Sequence, residues 1–284
     1  MANASMVVEN IVSAYRAIPG VMAIALFGSR ARGTENQYSD INLMIVESNS
    51  PTQSTRASVL AQLSDPGQPA TCRDIPIPAD AFQVDGFLVT IWHINEDLIC
   101  DRVASVVKGR RMENSVIVAI LNESTILWDP RKQLQTWKSS VNPVPESYTR
   151  GVIPMLFSEV THILESLNSS TPSDSAFFIQ HELIAALTSL YEIIFLLNNE
   201  YLILNDHMDH EILRLARVPD DFLKHIQGIL SLDNSFDGQM ARRRRICLLT
   251  LQMGRFIESI GSYNLKAGWV QLRRAAPFLF EFSD

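Results

Sequence analysis

The sequence predicts an α+β protein: a mixed α/β domain over residues 1–140, followed by an all-α helix bundle over residues 150–284. Three observations carry that expectation. The first half alternates short apolar, β-type runs with polar turns and helical patterns. The second half repeats apolar residues at three- and four-residue intervals almost to its end. Between them "SSVNPVPESYTRG", residues 139–151, sets two prolines among polar residues and reads as a linker.

Taken in order, "ASMVVENIVSAYRAI" predicts an opening helix, because Val7, Ile11, Val12 and Tyr15 recur at helical spacing before Pro19-Gly20 stops the run. "VMAIALFG", "INLMIV", "GFLVTIWHI" and "STILWDP" are short, apolar and bounded by turn residues, as strands are. Between them lie a polar connection at "ESNSPTQSTR", a helical "TRASVLAQLS", the loop-rich "DPGQPATCRDIPIPADAF" and a helix starting near Asn95. Beyond the linker, segments such as "GVIPMLFSEVTHILESL" and "FDGQMARRRRICLLTLQMGRFIESIGSY" are amphipathic helices by the same spacing.

With 46% hydrophobic and 19% charged residues, 284 residues can bury two full-sized cores without cross-links. Cys72, Cys100 and Cys247 show no CxxC or Cys/His ligand spacing, which favours buried thiols over disulfides or zinc. A net charge of -7 argues against broad binding to nucleic-acid backbones and for a small substrate or a protein partner. No apolar run reads as long enough for a membrane span, and no basic-then-apolar leader opens the chain, so the expected setting is the cytoplasm.

The chemistry is concentrated in "ALFGSRARGTENQYSDINLMIV", residues 25–46. A strand ending in Gly28-Ser29 and entering a tight turn offers backbone N–H groups without helical partners, which suit phosphate oxygens. Gly28 permits close approach, Ser29 adds a hydroxyl, and Arg30 and Arg32 supply charge. Asp40 and Asn42 lie two apart at the start of the next strand, so their side chains share a face. Two carboxylates so placed, with a third on a neighbouring strand, would hold divalent cations against a triphosphate.

This stretch resembles the signature of the DNA polymerase β-like nucleotidyltransferase superfamily: an apolar residue, Gly-Ser, about ten residues, then Asp, an apolar residue and a second acid. The wording GSRARG…SDI is close to small bacterial members. The helical half, particularly "LYEIIFLLNNEYLILNDHMDHEILRLARVPDDFLKHIQGIL", is similar to the bundle paired with such domains, more distantly to that of kanamycin-type nucleotidyltransferases.

The resemblance implies that Gly28 and Ser29 bind the β- and γ-phosphates of a nucleoside triphosphate such as ATP, with Arg30 balancing charge. It makes Asp40 the first Mg²⁺ ligand and sets Asn42 where the family has its second metal-binding, catalytic carboxylate. It further implies transfer of a nucleoside monophosphate to a hydroxyl of a small antibiotic-like molecule or of a protein, releasing pyrophosphate. Asn42 departs from the pattern, since an amide brings no negative charge. The strand "GFLVTIWHI" carries no carboxylate at either set of alternate positions, so the third acid is missing as well. The alternative is therefore an inactive protein of this fold, a nucleotide-binding or protein-interaction module.

Asp85, Glu96 and Asp74 are outside candidates for the third acid, and His93 a secondary acid/base candidate because histidine titrates near neutrality. Asp129 reads as a turn residue closing the last strand. His181 and Glu182 are candidates for an acceptor site, while His207 and His210, flanked by Asp206 and Asp209, make only a lone HxxH. Arg242–Arg245 is the densest positive charge, spread around a helix so that some members reach a triphosphate and others meet acids or solvent.

Overall fold

The computed structural model describes residues 3–48, 52–68, 70–73, 77–111, 116–204 and 208–280. The chain forms two compact units, one of Met1–Val107 with Met112–Pro143, the other of Lys108–Arg111 with Val144–Asp284.

Among the described residues, the first unit is built on a six-stranded sheet of order β3-β4-β5-β2-β1-β6. Its elements are α1 (Ala4–Tyr15), β1 (Val21–Phe27), α2 (Ser29–Arg32), β2 (Ile41–Glu47), α3 (Gln53–Leu63), β3 (Thr71–Arg73), β4 (Ala79–Val84), β5 (Phe87–Asn95), α4 (Glu96–Val107), α5 (Val116–Glu123), β6 (Thr125–Trp128) and α6 (Gln133–Val141). Of these strands β2 and β5 pair in parallel, which requires a crossover, and the chain supplies it through α3 and the β3–β4 ribbon.

Strand alternation sorts the residues of β2. Ile41, Leu43 and Ile45 are wholly buried in a core shared with Val7, Ile11 and Tyr15 of α1, Leu60 of α3 and Val89 and Ile91 of β5. That burial is what holds α1 in place, and the Asn3 side chain caps the helix by accepting from Ser5 N. Asn42 is turned to the opposite face. The helical period of α1 and the strand period of β2 are thus satisfied by one core.

The loop reading of residues 65–82 needs correction, because it contains β3 and part of β4. β3 is short and mostly exposed, and both are registered by pairing with neighbours, β4 antiparallel to β5 and β3 to β4. Their order comes from the neighbouring strand, not from a local apolar pattern. Helices α5 and α6 have no counterpart among the expected elements, and α6 runs into the stretch read as linker before a cis Asn142–Pro143 bond.

The second unit is helical: α7 (Glu146–Ser166), α8 (Ala176–Leu197), α9 (Met208–Leu213), α10 (Phe222–Leu230), α11 (Phe236–Ile260) and α12 (Lys266–Ala275). Gly254 of α11 and Gly268 of α12 both abut the Phe157 ring of α7, where a Cβ would collide, so small residues let three helices meet on one aromatic. By length and composition α8 is apolar enough to cross a membrane, which corrects the reading that no segment is, and 61% of its apolar window is buried inside the protein. Ile179, Leu183, Leu190 and Ile193 account for part of that burial.

Candidate functional site

β1 ends at Phe27, and Gly28 follows at φ +78° and ψ −158°, a positive-φ conformation that glycine permits and that turns the chain into α2. Phe27 pairs with Asn42 across β1 and β2, so the Gly28 turn lies beside the Asn42 side chain. A Cβ on Gly28 would lie 3.1 Å from Asn42 Nδ2. The Gly28 turn and the candidate metal residues Asp40 and Asn42 are therefore adjacent.

Their contacts are with one another. Asn42 Nδ2 donates to Asp40 Oδ1 at 2.9 Å. Arg30 reaches the same loop, donating from Nε to the Asp40 carbonyl at 2.9 Å and from Nη2 to the Ser39 carbonyl at 2.7 Å, with its guanidinium over the Phe87 ring. In this arrangement Arg30 holds the 39–40 backbone in position. Ser29 opens α2, and its carbonyl accepts from Thr34 N.

The Gly28 amide already has an anionic partner: it donates to Glu123 Oε1 at 2.9 Å, while Arg32 Nη1 donates to Glu123 Oε2 at 2.6 Å. Glu123 ends α5 and arrives from 95 residues away in sequence. Nothing in the local sequence marked it.

On β5 the neighbour of Asn42 is Thr90, and Ala81 of β4 follows across the sheet. Neither is acidic. Asp85 lies in the β4–β5 turn at positive φ with its N–H bound to Asp65, and Glu96 begins α4. Asp74 lies outside the described residues.

Residues 9–78 match the family model described as polymerase beta, nucleotidyltransferase. The N-terminal unit is polymerase β-like. Among solved structures the chain is similar to a nucleotidyltransferase-like protein from Exiguobacterium sibiricum, at 13% identity and TM-score 0.45 over 98% of this chain and 79% of that one. It is also similar to a spectinomycin adenyltransferase from Enterococcus faecialis solved with ATP and spectinomycin, at 11% identity and TM-score 0.31 over 94% and 98%. No curated protein matches.

Nucleotidyltransferases generally use a nucleoside triphosphate with a divalent metal. The donor set of this polymerase β-like unit does not fit such a cation. Asp40 brings one carboxylate, and the Asn42 amide points an N–H at it where a second metal-binding oxygen is needed. Among the described residues no group of three or more acidic, His or Cys side chains converges on a metal position.

His93 is not at the site. It lies on the other face of the sheet, buried, with Nδ1 bound to Glu47 Oε1 at 2.7 Å and Nε2 to Asp80 Oδ2 at 2.8 Å. Arg56 Nη1 approaches Asp80 at 3.6 Å. Burial disfavours the charged ring, but hydrogen bonds to both carboxylates outweigh it, and the His93 pKa is raised above the usual histidine value. The acid/base role considered for His93 is thus replaced by a structural one, joining β2, β4 and β5.

Half of the arginine run is also internal: Arg242 and Arg243 are buried, while Arg244 and Arg245 are exposed. Arg242 donates to the carbonyls of Ile229 and Leu232 and to Asn234 Oδ1, and Arg243 to the carbonyls of Leu164 and Ala275 and to Asn168. They satisfy carbonyls left over at the ends of α10, α7 and α12, while Arg245 donates to the Gly228 carbonyl. His181 is exposed, stacks on Phe177 and approaches Glu182. Asp129 accepts from Gln133 N and Gln135 N at the start of α6, and Asp206 and His207 lie outside the described residues.

Proposed function

We propose that this chain is a nucleotide-binding protein of nucleotidyltransferase fold that does not carry out two-metal nucleotidyl transfer. One observation carries the reading: the 2.9 Å hydrogen bond from Asn42 Nδ2 to Asp40 Oδ1. An N–H directed at a carboxylate takes a lone pair that a cation would use, and the neutral amide brings no second negative charge to hold that cation. In an active site of this class the two positions repel each other until metal joins them; here they attract.

Gly28 and Ser29 are the residues we assign to phosphate, with Arg32 as the cation beside them. Arg30, Asp40 and Asn42 shape the loop that borders the cradle. No transfer step is assigned to any residue. The cytoplasm is part of the same proposal, consistent with Cys72, Cys100 and Cys247 being thiols, although only Cys247 is buried as expected, Cys72 being half-buried and Cys100 exposed.

The competing reading is a Mg²⁺-dependent transferase acting on a small or protein hydroxyl. A thermal-shift titration with ATP, GTP, CTP and UTP, each with and without Mg²⁺, separates the two. A ligand at about 100 times its dissociation constant adds roughly 2.7 kcal/mol of stability. We expect any stabilisation to be independent of Mg²⁺, with no pyrophosphate released on adding alcohols or aminoglycosides. Stabilisation that requires Mg²⁺, or pyrophosphate release that vanishes in Asp40→Ala, overturns the proposal.

A further inference from the structure

We propose that Glu123 is a resident competitor for the phosphate cradle, a carboxylate that a polyphosphate must displace before it can reach Gly28. This rests on the reading of Gly28 and Ser29 as a phosphate site, and adds to it a built-in gate.

The Glu123 carboxylate makes the contacts a phosphate group would make. One oxygen accepts from the Gly28 backbone amide at 2.9 Å and the other from the Arg32 guanidinium at 2.6 Å. Both side chains are largely shielded, with 14% of Glu123 and 24% of Arg32 exposed, so the pair is screened less than a surface salt bridge. Lys138 adds a second cation nearby: its ammonium donates to the Ser124 carbonyl, and although burial lowers its pKa, the charge of Glu123 opposes that shift.

A half-buried cluster of one amide donor and two cations requires an anion, and Glu123 supplies it from within the chain. A second anion in the same place would face the Glu123 charge at contact distance, so the two states exclude each other. Glu123 is the last residue of α5 and Thr125 the first of β6, which is tied to β1 through Ala25–Ile126 and Leu26–Thr125. Side-chain rotation can therefore clear the cradle while the sheet stays paired. The expected ligand is a compact polyanion bound through its phosphates, and its affinity in the wild-type chain is reduced by the cost of evicting Glu123.

The test is calorimetric titration of the full chain with pyrophosphate in Mg²⁺-free buffer, for wild type, Glu123→Gln and Glu123→Ala. Glu123→Gln keeps size and an oxygen for Gly28 but removes the charge. We expect both variants to bind pyrophosphate at least about tenfold more tightly than wild type, equivalent to about 1.4 kcal/mol. Arg32→Gln added to Glu123→Gln should cancel the gain.

Equal affinity in wild type and both variants would overturn the gate and leave the phosphate site standing. Weaker binding in the variants would overturn the gate by making Glu123 part of the ligand's own pocket. No binding in any of them overturns the phosphate site and the gate together. Should the variants not fold, the side-chain carboxyl ¹³C resonance of Glu123 in wild type decides. A shift that saturates with pyrophosphate supports displacement, and an unmoved resonance under saturation overturns it.

Discussion

At Gly28 two demands meet in one residue: a positive φ and a close approach to Asn42 Nδ2. Gly28→Ala is expected to cost about 1–3 kcal/mol from the backbone alone, since positive φ with extended ψ is essentially a glycine-only conformation. The new methyl also presses on the amide that holds Asp40. Denaturant unfolding measures the loss, and an unchanged midpoint would contradict the geometry. At Asn42 the chemistry can be reversed by a single substitution. Asn42→Asp sets two carboxylates side by side without a donor, so the variant should be less stable than wild type in metal-free buffer by about 1 kcal/mol, because one hydrogen bond gives way to like-charge repulsion. Millimolar Mg²⁺ should restore the variant and leave the wild type unmoved; melting curves with and without the cation show which holds. The residues of this motif were legible in the sequence because glycine, serine and acid at fixed spacing are a local signal. Which way the Asn42 amide points was not, because its partner is chosen by side-chain placement in three dimensions.

Between elements, the Glu47–His93–Asp80 set ties β2, β5 and β4 together beneath α1 and α3. Because the folded pKa of His93 is raised, its contribution to stability is complete below the unfolded value of about 6.5 and is lost as pH rises through the folded value. Wild type should therefore weaken on the alkaline side more steeply than His93→Gln, which has no ring to titrate; parallel curves between neutral pH and about pH 9 would refute this. Replacing His93 by Ala near neutral pH leaves two carboxylates facing each other in the core and should cost about 3–5 kcal/mol. In the helical unit, Arg243→Met strands three acceptors, the Leu164 and Ala275 carbonyls and Asn168, and is expected to cost about 1–3 kcal/mol by chemical denaturation. Strands β1, β2, β5 and β6 and helices α1 and α4 could be read from periodicity, since each carries its own apolar pattern, and α3 from its helix-forming residues. β3 and β4 could not, as their order is lent by the strand beside them. The arginine run looked like ligand-binding charge because a one-dimensional pattern does not reveal which helix ends lie within reach.

Over the whole molecule, the chain visits the helical unit early, through Lys108–Arg111, before returning to complete the sheet with β6. Arg111 makes that visit structural: it pairs with Glu159 of α7 and with Glu192 of α8, at 3.2 Å in the second case. Burial raises the Glu192 pKa and Arg111 opposes the rise. A carboxyl whose folded pKa is raised gains stability as pH falls, so Arg111→Ala should destabilise the helical unit at neutral pH and recover part of the loss near about pH 5. Thermal unfolding at the two pH values checks this; a loss independent of pH would mean that Glu192 stays ionised without its partner. By itself the sequence determined a mixed α/β half, a helical half and a Gly-Ser…Asp-x-Asn loop of nucleotidyltransferase type, because helix and strand periods and turn residues are properties of neighbouring positions. Tertiary structure alone decided that Glu123 reaches the Gly28 amide from 95 residues away, that His93 meets Glu47 from 46 away, and that Arg243 caps α7 and α12. The reason is physical: a buried charge or an orphaned carbonyl takes whichever partner the packed elements bring within about 3 Å, and that partner's distance along the chain has no bearing on the choice.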